Sequence, residues 1–418
     1  MSVTVPEAHW RHVPVRLDVE RWATRRTRKR VLVVVHTVIA GQRLLDATRL
    51  LEGDTRVQMI FTQAPDVFGN GVNEFLERLG ALVLPWNQAV QTHFDLALAA
   101  GHGSLHDLQA PVVVLPHGAG HNKLTPVARH GGTAVPSGVY GLSRQRLVRD
   151  GTVVPEAIVL AHQEELTRLG RECPEALPVA EVVGDPCFDR IMASLPSRAL
   201  YRESLAVGPR QRLVLVCSTW GPDSLAGQGW DALERLVAEL PRDDYRVAAL
   251  LHPHVWNAHG EWQVRGWLSG LARSGLVVIS QHGDWEGAIV AADRIVGDHG
   301  SVSLYGSMTG APMLMAGRAD PCVDPSSPMA ELMSFAPRLR PERAVCAQIS
   351  RGPTSRHAGR YERVAARITS EPGRFARRMR ALLYRKLRLR APAFRAVREP
   401  ARLPLTVRFD RPESGISR

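Results

Sequence analysis

Lysine, cysteine and long apolar runs are what this 418-residue chain has least of. Its apolar runs are strand-sized, such as 31–35 and 112–115, and none approaches the roughly 20 residues that cross a bilayer. The N-terminus lacks a basic-then-apolar layout, so no secretory signal is expected and a cytoplasmic location is. Five scattered cysteines (Cys173, Cys187, Cys217, Cys322, Cys346) form no CxxC pair and read as reduced thiols, neither disulfides nor a zinc site. No GxSxG elbow, GxxxxGK[ST] loop or GxGxxG after a first strand occurs. This argues against serine hydrolases, P-loop NTPases and ordinary NAD enzymes. No Asp/Glu cluster has metal-ligand spacing, so neither a metal nor a cofactor is expected.

Only three lysines occur, so arginine carries the positive charge, and it is unevenly spread. From residue 374 to 418, thirteen arginines and Lys386 face Glu399, Asp410 and Glu413, a net charge of +11 out of the chain's +12. A second cluster, Arg25-Arg26-Thr27-Arg28-Lys29-Arg30, precedes the first apolar run. Basic ends of this kind suit an anionic membrane surface or a polyanion, and equally a solvated surface. A specific nucleic-acid partner is not expected.

Apolar content of 44% is ample for folded domains, and the length favours two. Strand–helix units repeat along the chain, the pattern of α/β folds. In the first half, strands are expected at 30–35, 57–61, 81–84, 96–99, 112–115, 157–160 and 181–183, with helices such as 41–52 and 72–80 between them. A polar helix over 196–206 separates the halves. The second half then runs strand 213–217, helix 229–239, strand 246–251, helix 261–274, strand 276–280, helix 285–292 and strands 294–296 and 313–315. The expected organisation is an N-terminal extension (1–28), two Rossmann-like domains (29–190 and 191–352) facing an interdomain cleft, and a basic helical tail (353–418) packed across both.

The most informative stretch is RIVGDHGSVSLYGSMTGAPMLMA, residues 294–316. It reads as strand, Gly/Ser turn, helix, strand, and the turn Asp298-His299-Gly300-Ser301, with Ser303 behind it, suits a phosphate or diphosphate. Six of the sixteen histidines follow expected strands: His36, His102, His117, His252, His282 and His299. In open α/β sheets, ligands bind outside the carboxyl ends of the strands. His117 opens HGAGHNK, where two glycines permit a tight turn. Its ordinary pKa near neutrality suits a general base, and Lys123 could neutralise phosphate charge. A βα turn in which His117 merely hydrogen-bonds backbone fits the same residues. His252 is held by Pro253, and Ser218-Thr219 end the first strand of the second half.

Taken in order, four elements resemble the CDP-glycerol glycerophosphotransferase family of teichoic-acid-type polymerases, within the GT-B glycosyltransferase architecture. HGAGHNK (117–123) is similar to the family's H-G-T-P-L-K, and VVGDPCFD (182–189) to its G-x-P-R-x-D. LVLVCSTW (213–220) is similar to its apolar strand and A-P-T-W. LLHPH (250–254) with IVGDHGSVS (295–303) is similar to its K-x-H-P and D-Y-S-S blocks. The likeness spans roughly residues 95–320. The sequence departs from the pattern at Lys123, one residue late, at Cys187 in place of the arginine, and at His299-Gly300 in place of Tyr-Ser.

The resemblance implies a metal-independent, inverting transfer of a glycosyl or glycerophosphoryl group from a nucleotide-diphosphate donor to a hydroxyl acceptor, in cell-envelope polymer or glycoconjugate synthesis. The acceptor would be lipid-linked or polyanionic. His117 and His252 would be catalytic. Ser218, Thr219, Asp298, His299, Gly300, Ser301 and Ser303 would hold the donor diphosphate, His282 and Trp285 the base, and His36, His102 and Lys123 the acceptor side. The 298–316 block also resembles the D-S-G-G-x-x-E-E-A…G-x-P block of UDP-sugar 2-epimerases, with Leu304 and Tyr305 at the places of its glutamates. An epimerase or hydrolase on this scaffold is therefore an alternative, as is a non-catalytic nucleotide- or polyanion-binding protein.

Overall fold

The computed structural model describes residues 24–129, 132–350, 355–393 and 399–409. All but the last five residues of the expected N-terminal extension lie outside them, as do Arg395, Arg398, Arg411 and Arg418 of the basic segment. The chain divides into two compact units. One comprises Met1–Pro186 with Thr369–Arg398, the other Cys187–Ile368 with Glu399–Arg418.

In the first unit, β1 (Lys29–Val35) pairs in parallel with β2 (Val57–Gln63) and with β3 (Leu96–Ala99), and β3 pairs with β4 (Val112–Val114). Two hairpins follow, β5–β6 (Leu124–Arg129 and Gly132–Val139) and β7–β8 (Val148–Arg149 and Thr152–Val153). The sheet is completed by β9 (Ala157–Leu160) and β10 (Ala180–Val182), in the order β10-β9-β4-β3-β1-β2. Val31 to Val35 are fully buried because a parallel sheet is covered on both faces. Val31, Val33 and Val35 enter one core layer, Leu32 and Val34 the other. Residues 81–84, expected as a strand, form only an isolated bridge between Val83 and Phe61. The helix expected from 41 begins earlier, at Val38, because Thr37 caps it by accepting from Ala40 N (3.2 Å).

In the second unit, β11 (Arg212–Ser218), β12 (Tyr245–Leu251), β13 (Val277–Val278), β14 (Arg294–Gly297) and β15 (Met313–Met315) form a parallel sheet in the order β13-β12-β11-β14-β15. Residues 399–409 lie along its β13 edge. Thr406 bridges Ile279, and Val407 N donates to Val278 O (2.8 Å), which covers backbone groups an edge strand otherwise exposes.

The basic segment has a structural role. Helix Phe375–Lys386 inserts Phe375, Met379, Leu382, Leu383 and Tyr384 into the core of the first unit, beside Val31, Val33 and Leu44. Its arginines are largely paired within the unit. Arg374 and Arg378 meet Glu371, Arg385 meets Glu181, and Lys386 reaches Glu156 at 2.9 Å. Arg377, Arg388 and Arg390 stay exposed. No helix among the described residues is long and apolar enough to cross a membrane.

Candidate functional site

Both sheets direct their polar residues to the carboxyl ends of central strands. In the first unit, His36 follows β1, His102 lies three residues beyond β3, and His117 three beyond β4. His36 is 2% exposed, and its Nε2 donates to Gly103 O (2.8 Å). His117 places Nδ1 3.2 Å from Ala100 O. A carbonyl only accepts, so Nδ1 carries the hydrogen and Nε2 the lone pair. The edges of His102 and His117 pack on Tyr140, with centroids 6.2 and 6.0 Å apart.

Burial, seconded by neighbouring histidines, pushes His102 down to about 3. Burial also lowers His36. His117 shifts the same way, against its hydrogen bond to Ala100, but its side chain is exposed at the strand end and the water around it opposes that shift. The sign of the linkage follows. His102 and His36 bind protons more readily unfolded than folded, so they stabilise the fold above about pH 6.5 and lose that contribution as pH falls through their lowered values. Urea midpoints measured between pH 7 and 4 should fall accordingly, while imidazole NMR shows His102 neutral at pH 5.

Three contacts brace the 117–123 loop. Buried Arg43 donates to Gly118 O (3.0 Å) and pairs with Asp185 (3.4 Å), which lies just past β10. Asn122 Nδ2 donates to Ala119 O (2.6 Å). Glu165, 4% exposed and in the first turn of helix Gln163–Glu172, accepts from His121 N (2.9 Å), His121 Nδ1 (2.8 Å) and Ala161 N (2.7 Å). Burial opposes ionisation of Glu165, but His121 and the Ala161 N–H outweigh it and hold the carboxyl at about 2. Gly120 must be glycine here. Its φ is +68°, and a Cβ would stand 2.7 Å from Glu165 Oε1. Gly141 has φ +88°, and a Cβ there would lie 2.7 Å from His121 Cδ2 and 3.4 Å from His102 Cε1. Gly141→Ala should cost about 1–3 kcal/mol in urea unfolding through strain and this collision, and should move the His102 and His121 resonances. Lys123 closes the loop, its carbonyl accepting from Tyr140 N (2.8 Å).

In the second unit the hub is Asp298, 1% exposed just past β14. Its carboxylate accepts from Thr219 N (2.9 Å), Leu225 N (2.9 Å) and Gly300 N (3.0 Å), and Ser218 Oγ lies 3.2 Å away. The loop after β11 is thereby tied to the turn after β14. Ser218 Oγ also accepts from Ala226 N (2.8 Å), so its hydroxyl works inside the loop. At Gly300 a Cβ would stand 2.9 Å from Thr219 Cβ, so the two strands' turns touch. Ser303 Oγ is buried against Gly297, and His299 Nε2 lies 3.3 Å from Asp320.

His252 follows β12 and caps helix Pro253–His259, its Nδ1 accepting from His254 N (3.0 Å). Its backbone N–H donates to Ser218 O (2.9 Å), and the Trp220 ring packs on His254 at 4.7 Å. Ser218, Thr219, His252, Asp298 and Gly300 are thus one connected group. His282 lies elsewhere, past β13, with Nε2 3.5 Å from Glu261. Trp285 packs on buried Tyr305 at 5.4 Å.

Sequence reasoning missed Glu165, His121, Arg43 and Asp185. A signal existed for His121 in the HGAGHNK loop itself, but its partner is 44 residues away. Among the described residues, no group of three or more His, Cys, Asp or Glu is placed to hold a metal ion.

Two parallel-sheet α/β units joined in this order have the GT-B fold. No family model matches the chain, and no curated protein sequence matches it either. Solved structures do. The wall teichoic acid polymerase TagF, in a variant soaked with CDPG, gives a TM-score of 0.59 at 13% identity, covering 86% of this chain and 89% of that one. The S. aureus MnaA–UDP co-structure gives 0.55 at 11% identity, covering 89% and 99%. At these identities the likeness is one of fold.

Proposed function

We propose that this protein is a GT-B transferase that moves a glycosyl or glycerophosphoryl group from a nucleotide-diphosphate donor to a hydroxyl acceptor. The observation that carries the reading is the Asp298-braced junction of two strand-end turns in the second unit, together with the oriented imidazoles that the first unit carries at its own strand ends. TagF with CDPG and MnaA with UDP support it as fold neighbours described with nucleotides.

In this reading His252, Thr219, His299, Gly300 and Ser301 face the diphosphate, while Asp298, Ser218 and Ser303 frame the turn. His282 and Trp285 lie toward the base, and His36, His102 and Lys123 flank the acceptor. His117 Nε2 takes the acceptor's proton as its oxygen bonds the transferred centre. The bond from that centre to the donor's phosphate oxygen breaks, and the nucleotide leaves with the electron pair. Preorganised donors at the leaving group and an oriented base are the two contributions such a site makes. Exposed arginines of the basic clusters, among them Arg377, Arg388, Arg390, Arg402 and Arg408, are charges that suit a lipid-linked or polyanionic acceptor, or an anionic membrane surface.

Thermal shift with CDP-glycerol, UDP-N-acetylglucosamine and GDP-mannose tests the reading. One of the three should raise the melting temperature by several degrees, and silence from all of them sinks the proposal. The MnaA likeness favours an epimerase or hydrolase as the second reading, in which donor is consumed with no acceptor present. Against it, Leu304 and Tyr305 are buried and carry no carboxylate where that block carries glutamates.

A further inference from the structure

Of the four imidazoles gathered in the first unit, two have sealed ring nitrogens without partners, His117 is exposed, and His121 is buried at 9% but with its Nε2 not sealed. Both ring nitrogens of His102 and Nδ1 of His36 are buried without a partner. His117 and His121 each have Nδ1 engaged, and their Nε2 atoms are neither sealed nor hydrogen-bonded to any described residue. What orients them differs. His117 leans on a neutral carbonyl, His121 on a buried carboxylate 2.8 Å away. A carboxylate fixes the Nδ1–H tautomer and stabilises the imidazolium formed when Nε2 takes a proton, whereas a carbonyl does mainly the first.

We propose that His121 is a second proton-accepting imidazole of the acceptor pocket and that Glu165 is its positioning residue. The inference rests on the transferase reading above and deepens it. The acceptor's O–H proton goes to His121 Nε2 as the oxygen bonds the transferred centre and the nucleotide departs, and it returns to solvent afterwards. In this refinement His121 rather than His117 takes that one proton, and His117, whose Nε2 carries a lone pair and no hydrogen, makes no second hydrogen bond to the same hydroxyl.

Three observations show the pair to be built rather than incidental. Glu165 takes two hydrogen bonds from His121, so it sets backbone and ring together. Gly120 and Gly141 both adopt positive φ, and side chains there would collide with Glu165 and His121 respectively. The other charged or titratable groups around the pair come from several elements: His36, His102, His117 and Tyr140 in the pocket, Asp66 acting on His36 and Tyr140, Arg43 from helix Val38–Thr48, Arg146 beside Tyr140, and Arg168 beside Glu165. Asp66 is a carboxylate, but it accepts from Phe68 N (2.8 Å) and not from His121.

The test has two arms on the full chain. In the first, nucleotide release from CDP-glycerol and from UDP-N-acetylglucosamine is followed between pH 5 and 9 with a lipid-linked glycerol-phosphate oligomer as hydroxyl acceptor, and acceptor-free release is subtracted. His121→Gln should lower kcat/KM at least 100-fold. Glu165→Gln should lower it 10- to 100-fold and move the acid limb down by about one pH unit, because removing the carboxylate disfavours the imidazolium. Adding Glu165→Gln to His121→Gln should change nothing further. A His121→Gln protein with the parent's rate and profile, or an unmoved acid limb in Glu165→Gln, overturns the proposal.

The second arm needs no substrate. In ¹⁵N-histidine spectra the parent should show the His121 ring as the single Nδ1–H tautomer and Glu165→Ala as a mixture of tautomers, and an unchanged tautomer overturns the pairing. If neither donor is turned over by the parent, the transferase reading fails, and with it the catalytic role. The second arm still decides the pairing. Folding of each variant is checked by the native dispersion of the remaining histidine resonances.

Discussion

Met379→Asp with Leu383→Asp abolishes cooperative unfolding of the first unit, whereas Arg377→Gln, Arg388→Gln and Arg390→Gln together leave it intact. Both apolar side chains are fully buried in a helix that returns from residue 369 to a core otherwise built before residue 186. Losing the burial of each costs about 2–5 kcal/mol. Forcing an unpaired carboxylate into the same place adds several more. Together these reach or exceed the roughly 5–15 kcal/mol that holds a domain folded.

Hydrogen exchange should show β1 to β4 losing protection in the double variant while β11 to β15 keep theirs. Retained protection in β1 would show the helix to be dispensable. The same geometry bears on polyanion binding. Deleting residues 374–418 would remove charge and core at once, so a loss of binding would say nothing about the charge. The triple glutamine variant removes exposed charge alone. If polyanion binding is its function, that variant should bind more weakly with a flatter salt dependence.

The sheets were legible because parallel strands buried on both faces leave near-continuous apolar runs, and 31–35, 213–217 and 246–251 emerge within a residue or two. Residues 124–139 were not, because a hairpin containing Pro126 and Pro136, with register shifts at Leu124/Thr125 and Val127/Arg129, carries no clean alternation. The basic tail looked like a charge feature because its arginines are numerous. Its apolar positions, 375, 379, 382, 383 and 387, recur at helical spacing and mark a core helix. At the sites, the strand-end histidines were visible one by one. What sequence cannot show is pairing across distance: Glu165 with His121, Arg43 with Asp185, and Asp298 with Thr219 and Leu225 join positions 44 to 142 residues apart. Burial also changed the chemistry of His102, since no local pattern announces that a strand-end imidazole will be desolvated to about 3.

Asp298→Ala should cost about 3–6 kcal/mol and take nucleotide binding with it. The substitution leaves the N–H groups of Thr219, Leu225 and Gly300 without their acceptor, in places too buried for full rehydration. Each such orphan costs about 1–3 kcal/mol. Asp298→Asn separates two roles for this side chain. One amide oxygen can still serve Thr219 and Leu225, so stability should fall by only about 1–3 kcal/mol, with Gly300 the group left facing an amide. If Asp298 frames the turn, as its full set of internal donors implies, removing its negative charge cannot remove a phosphate ligand. Calorimetric affinity for CDP or UDP should then stay within about threefold of the parent, or tighten as a repulsion is relieved. A 100-fold loss in Asp298→Asn with the fold intact would instead place the carboxylate in direct contact with the nucleotide, on a hydroxyl rather than a phosphate. Urea unfolding beside the titration separates these outcomes, since framing predicts that affinity follows loop stability and direct contact predicts that it does not.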